Sequence, residues 1–243
     1  MAKNIFTKNY LPVARIMRNT GMSEAGILVG NRLNQISFAP DTPRIRLAEG
    51  TALVLDFGIE LVGGVALVVT SPAGRLRLRF GESVNEVMGE PDQTHAIHDT
   101  ELQTPRFGTF EYGQTGFRFI RIDAINEIEL LNVMAVSCEC DVEFIGQFEC
   151  SDVRLNRIWE TARRTVHLCM GNYIFDGAKR DRMVWMGDLY PEIKSILAAF
   201  GGHRIITDSL DFVRNDTALP LFMNNISSYI IHSFWRQCCR YVI

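Results

Sequence analysis

The chain has 243 residues, 47% hydrophobic and 22% charged, an ordinary globular composition with length for one large domain or two small ones. With a formal net charge of −3 and only short basic pairs such as Arg163-Arg164 and Lys179-Arg180, it shows no basic stripe, and no nucleic-acid partner is expected. No stretch approaches the roughly 20 apolar residues of a membrane span, and residues 1–10 hold Lys3 and Lys8 with no apolar run after them. A cytoplasmic protein without a membrane partner is the expectation.

The first fifty residues are the least legible, and 10–17 fits a short helix or a strand equally well. From about Thr51 to Gln147 the hydrophobic period is two, the pattern of half-buried strands. In 75–80, Leu76, Leu78 and Phe80 fall on one face and Arg75, Arg77 and Arg79 on the other. Pro72-Ala73-Gly74 is a turn signal joining this strand to the apolar run 65–69. Further strands are predicted at 53–57, 107–112, 117–122 and 131–138. The polar segment 83–104 has no period and reads as a long loop. Short strands separated by turn residues predict an antiparallel β-sandwich over residues 1–147.

After Gln147 the period changes. Ser151 is a candidate N-cap, with Asp152 placed favourably at the positive end of a helix dipole. Leu155, Ile158, Trp159, Ala162, Val166 and Cys169 then follow helical spacing. A second helix is predicted to start near Pro191, a residue suited to a first turn. Its apolar positions Ile193, Ile196, Leu197 and Phe200 run up to Gly201-Gly202. A third is predicted from Thr207 or Asp208 through Val213. The fold class is therefore α+β, with an all-helical region over 148–243.

Six cysteines are present: Cys138, Cys140, Cys150, Cys169, Cys238 and Cys239. Cys138 and Cys140 share one face of a strand, but no second pair stands at zinc-ribbon spacing. His95 and His98 have no ligand spaced to complete a metal site. Reduced, mostly buried thiols and no metal or cofactor are expected. His167 and Cys169 read as packing residues.

Between the first two predicted helices, 176–188 carries Asp176, Asp181 and Asp188, the cations Lys179, Arg180 and Arg182, and Trp185, with glycines at 177 and 187. Such a loop is costly to order unless its charges pair or face a ligand. One reading is a surface loop in which Arg180 and Arg182 neutralise Asp181 and Asp188. The other is a sugar site: ionised carboxylates accept from sugar hydroxyls, and tryptophan offers a flat apolar face to a ring. Glycosidic cleavage also needs an acid that keeps its proton near neutrality. An aspartate at about 3.9 does not, but crowding three acids raises at least one, while the arginines act oppositely.

Residues 148–166 and 176–189 together resemble the start of the catalytic domain of bacterial α-L-rhamnosidases, the family 78 glycoside hydrolases. Residues 55–63 and 78–82 resemble the β-sandwich that precedes it, and the likeness runs from about 51 to 229. It implies an (α/α)6 barrel, a rhamnose-containing glycoside or oligosaccharide as partner, and hydrolysis with inversion, an acid protonating the leaving oxygen while a base activates water. Position by position it implies Asp181 as general acid, Asp176 and Asp188 as acids holding rhamnose hydroxyls, Trp185 as an aromatic of the pocket, and Arg180 as a substrate-binding or acid-tuning neighbour. The motif departs from the family where a glutamate stands at or next to the acid position.

A twelve-helix barrel at about 11–12 residues per helix and about 4–6 per connection takes on the order of 200 residues. Residues 148–243 supply fewer than a hundred, so the general base is expected outside this sequence. Asn224 to Tyr229 still resemble the family, whereas 230–243 do not. The expectation is a truncated or frameshifted product or one piece of a split gene, with the missing part of the barrel as a possible partner. Besides a rhamnosidase-type hydrolase, a non-catalytic carbohydrate-binding fragment and an inactive remnant stand as alternatives.

Overall fold

The computed structural model describes residues 6–215, apart from 23, 34, 38, 40 and 91–97, in two compact units that divide between Glu139 and Cys140. The division falls ahead of the change in hydrophobic period at 148. Residues 224–243, with Cys238 and Cys239, lie outside the described residues, as does His95.

The first unit is antiparallel β structure. Its strands are β1 (Phe6–Pro12), β2 (Arg15–Asn19), β3 (Ile45–Leu47), β4 (Ala52–Val69), β5 (Arg75–Gly81), β6 (His98–Gln103), β7 (Gly108–Ala124) and β8 (Ile128–Cys140). They hydrogen-bond in the order β1-β8-β4-β7-β5-β6, with β2 added to β4 and β3 to β8. The segment 10–17, open in the sequence, crosses from β1 into β2. Two pairs of expected strands are each one long strand: 53–57 and 65–69 belong to β4, and 107–112, without Phe107, and 117–122 to β7.

Bulges explain the fusion. The β4–β7 register shifts between Asp56 and Leu61 and again between Gly63 and Val65. The front of β4 therefore pairs with β2, and its rear with β8, while β7 follows it along both. Gly63 has φ +150, and a Cβ there would lie 1.9 Å from the Val136 carbonyl oxygen, so no other residue fits. Bent this way, the strands wrap one core, in which alternate residues of β4 (Leu53, Leu55, Leu67), β5 (Leu76, Leu78, Phe80) and β7 (Phe117, Ile120) meet. Phe117 packs edge-on against both Phe57 and Phe80, at 5.8 and 5.0 Å between centroids.

The segment 83–104 is not a loop throughout. Ser83 caps a short helix, α1 (Val84–Met88), accepting a hydrogen bond from the Glu86 N–H, and 98–103 form the edge strand β6. β6 was illegible because charge rather than apolar alternation holds it. Asp99 accepts from Nε and Nη2 of Arg77, each at 2.7 Å, and also pairs with Arg79, and Glu101 pairs with Arg75. Arg79 is buried and donates to the Val87 carbonyl of α1 at 3.2 Å.

The second unit holds α2 (Val153–Cys169), α3 (Met186–Phe200) and α4 (Arg204–Asn215). The N-cap of α2 is Asp152 rather than Ser151, its carboxylate accepting from the Arg154 N–H at 2.8 Å. α3 starts at Met186, so Pro191 stands inside the helix, and α4 starts at Arg204. Leu189, Ile193, Ile196 and Phe200 of α3 pack with Ile205, Ile206, Leu210 and Val213 of α4. The stretch before α2 joins this core: the Gly146 N–H donates to the Ala199 carbonyl at 2.9 Å, and Phe144 packs edge-on to His167 and Phe200. His167 is buried as expected, with Nε2 2.8 Å from the Cys140 carbonyl oxygen. Of the four described cysteines only Cys140 is buried, and the other three are half-exposed. Among the described residues no helix is long and apolar enough to cross a membrane.

Candidate active site

The acidic segment hangs between two fixed points. At its start, the Ile174 N–H donates to the Ser209 hydroxyl of α4 at 2.9 Å, and the Phe175 N–H to the Cys169 carbonyl at 3.0 Å. At its end, Trp185 is the N-cap of α3, and the N–H groups of Asp188 and Leu189 both donate to its carbonyl at 3.1 Å. In between, Asp176 closes the loop on Met183. Its own N–H donates to the Met183 carbonyl at 3.1 Å, and its Oδ1 accepts from the Met183 N–H at 2.9 Å. Gly177 is required inside this closure, since a Cβ would lie 2.3 Å from the Arg180 carbonyl oxygen.

The sequence-predicted residues divide by environment. Asp176 and Trp185 are half-buried, whereas Arg180, Asp181 and Asp188 are exposed. Asp188 is not a loop residue: it lies in the first turn of α3, where the helix dipole favours a negative charge. Lys179 is buried, and Arg182 lays its guanidinium 5.4 Å from the centre of the Phe175 ring. The loop is thus anchored by its backbone and by Asp176.

Glu192, which is not among the three acids of 176–188, carries a raised carboxyl. Burial, then the charge of Asp188, then that of Asp176 push it up to about 7. The signal was present as the i, i+4 spacing of Asp188 and Glu192. It became legible only once α3 was seen to begin at Met186 rather than Pro191, which puts both acids on one face of one helix.

Among the described residues no three His, Cys, Asp or Glu side chains gather as a metal site. His98 is exposed on the edge strand β6.

Residues 143–227, which enclose this whole arrangement, match the family model of the bacterial alpha-L-rhamnosidase 6 hairpin glycosidase domain. The chain resembles the bacterial α-L-rhamnosidases. Among solved structures it is similar to a rhamnosidase from Klebsiella oxytoca with rhamnose bound, at 20% identity and a TM-score of 0.69, over 84% of this chain and 43% of that one. It is also similar to a family 78 rhamnosidase of Bacillus sp. GL1, at 25% identity and a TM-score of 0.58, over 74% of this chain and 20% of that one. The chain therefore spans less than half the length of either rhamnosidase. No curated protein matches it. The fold is accordingly an antiparallel β unit followed by helices of six-hairpin glycosidase type.

Proposed function

We propose that this chain is part of a glycoside hydrolase that removes terminal α-L-rhamnose from a glycoside or oligosaccharide with inversion. The observation that carries the reading is the match over 143–227, because it encloses the segment 176–188, where carboxylates, cations and a tryptophan are gathered on an ordered frame. In this reading Asp181 protonates the leaving oxygen, while Asp176 and Asp188 accept from the sugar hydroxyls. Oδ1 of Asp176 is committed to Met183, and the second oxygen of that carboxylate is the one available to a sugar. Trp185 offers its face to the ring, and Arg180 sits beside the acid. A water activated by a base attacks the anomeric carbon from the opposite side. The resemblance assigns that base to no residue of this sequence, and the rest of the barrel is the partner that would carry it.

The test is hydrolysis of an aryl α-L-rhamnoside by the purified chain, alone and with the remaining six-hairpin segment of a family member added. Asp181→Asn is expected to lower turnover by about 10²–10⁴-fold, with L-rhamnose binding retained. Binding without turnover in both preparations would favour a carbohydrate-binding module. Neither binding nor turnover would overturn the reading.

A further inference from the structure

The helix α2 is only partly used by the unit that carries it. Its buried residues, His167 and Leu168, stand in its last turn, where Val166 also packs against the core of α3 and α4. Leu155, Ile158 and Ala162, at i, i+3 and i+7, fall on one helix face, and all three are exposed. Phe148 extends this apolar surface: it is 45% exposed, and its ring lies 5.9 Å from that of Trp159, centroid to centroid. Beside the stripe Arg154 and Arg157 are exposed, and among the described residues neither meets an acid. The acids of the same helix end are engaged, Glu160 by Arg163 and Asp152 by the Arg154 N–H that it caps.

Resting on the six-hairpin part of the reading above, we propose that this face of α2 is the seam that receives a further helical hairpin of the same domain. The described residues supply α2, α3 and α4, whereas the matched domain is named for six hairpins. The chain covers 43% and 20% of the two rhamnosidases it resembles, so most of each lies outside the match. The core of α3 and α4 meets α2 at its last turn, which leaves the earlier turns to a neighbour. The exposed residues state that neighbour's chemistry. It is a helix with an apolar stripe of its own, bordered by carboxylates that reach Arg154 and Arg157. A second copy of this chain fits less well. A two-fold contact sets a patch against itself, and the same arginines would face each other across it. Association of the chain with itself through this face is therefore confined to high protein concentration.

The experiment mixes the purified chain with the part of the Klebsiella oxytoca rhamnosidase that lies beyond its match to this chain, and follows complex formation by light scattering and calorimetry. Wild type is expected to form a complex with one copy of each partner. L155K/I158K is expected to bind that segment at least about 10-fold more weakly. R154E/R157E, which leaves the apolar stripe intact, is expected to bind several-fold more weakly, with a loss that shrinks as salt is raised. I59K, at a residue of the β unit that is 48% exposed, is the control and should bind as wild type does. Equal binding by wild type and L155K/I158K, no complex with wild type, or a wild-type dimer that the segment does not dissolve each overturns the proposal. Turnover of an aryl α-L-rhamnoside in the same mixtures judges the glycosidase reading separately. A complex through α2 without turnover counts against that reading and leaves the seam standing, whereas turnover by the chain with no complex does the reverse.

Discussion

Two carboxylates of this chain are driven in opposite directions by their surroundings, and the difference is testable residue by residue. Asp56 on β4 is fully buried, which opposes its charge. Hydrogen bonds from Arg118 (2.8 and 3.1 Å), the Gly58 N–H (2.7 Å) and Arg15 outweigh the burial and hold it at about 2. A depressed carboxyl stabilises the fold above its ordinary value of 3.8 and loses that contribution as the pH falls towards 2. R118A is therefore expected to cost about 2–3 kcal/mol at neutral pH and to flatten the acid limb of a denaturant titration of the β unit. Glu192 works the other way. Its raised value means that stability is greatest below its ordinary 4.5 and declines as the pH rises to about 7. E192Q should leave the melting temperature of the helical unit unchanged near about pH 4.5 and raise it near about pH 8, by the equivalent of about 1 kcal/mol after solvent screening. A melt that moves equally at both values would contradict this account of Glu192.

At the scale of elements, what could be read ahead depended on which force orders each one. β5 was legible because its inward residues are apolar and alternate, and Leu76, Leu78 and Phe80 are all buried. β6 was not, since Asp99 and Glu101 are held by arginines of β5 and leave no apolar period. The start of α3 escaped for a local reason. Its N-cap is Trp185, which makes no side-chain cap bond, while Pro191 mimicked a first turn from inside the helix. That misplacement also hid Glu192. The segment 176–188 was found through resemblance and composition, whereas the closure of Asp176 on Met183 depends on backbone geometry that no spacing reveals. Two glycines probe the helical unit from opposite sides. A Cβ at Gly146 would lie 1.9 Å from the Ala198 carbonyl oxygen and 2.8 Å from the Ala199 Cα, so G146A should destabilise by about 1–3 kcal/mol. Gly187, in the first turn of α3, would meet nothing within 4 Å. G187A should therefore stabilise by about 0.5–1 kcal/mol, chiefly by reducing the freedom of the unfolded chain. Thermal melts of the two variants should move in opposite directions.

At the scale of the whole chain, the second unit exposes more apolar surface than its own core can use. The helical spacing of Leu155 and Ile158 on α2 is that of a buried stripe, yet they are 46% and 53% exposed, and Ile145, Phe148 and Val153 are exposed as well. On α2 only His167 and Leu168 are buried. The described helical unit meets its apolar demand through α3 and α4, where Ile193, Ile196, Ile205 and Ile206 are covered. An apolar helix face left in water does not stabilise the unit that carries it; it promotes association instead. Replacing Leu155 and Ile158 together by lysine is accordingly expected to change the melting temperature little, each site lying within about 0.5 kcal/mol of neutral. The same double variant should bind less of a hydrophobic fluorescent dye than wild type and should elute as a smaller species at high protein concentration. Were these side chains part of the packed core, the substitutions would instead lower the melting temperature sharply, by the several kcal/mol that burying two unpaired charges entails. Dye binding and melting together therefore decide whether the outer face of α2 is a free surface in the isolated chain or a buried seam of its fold.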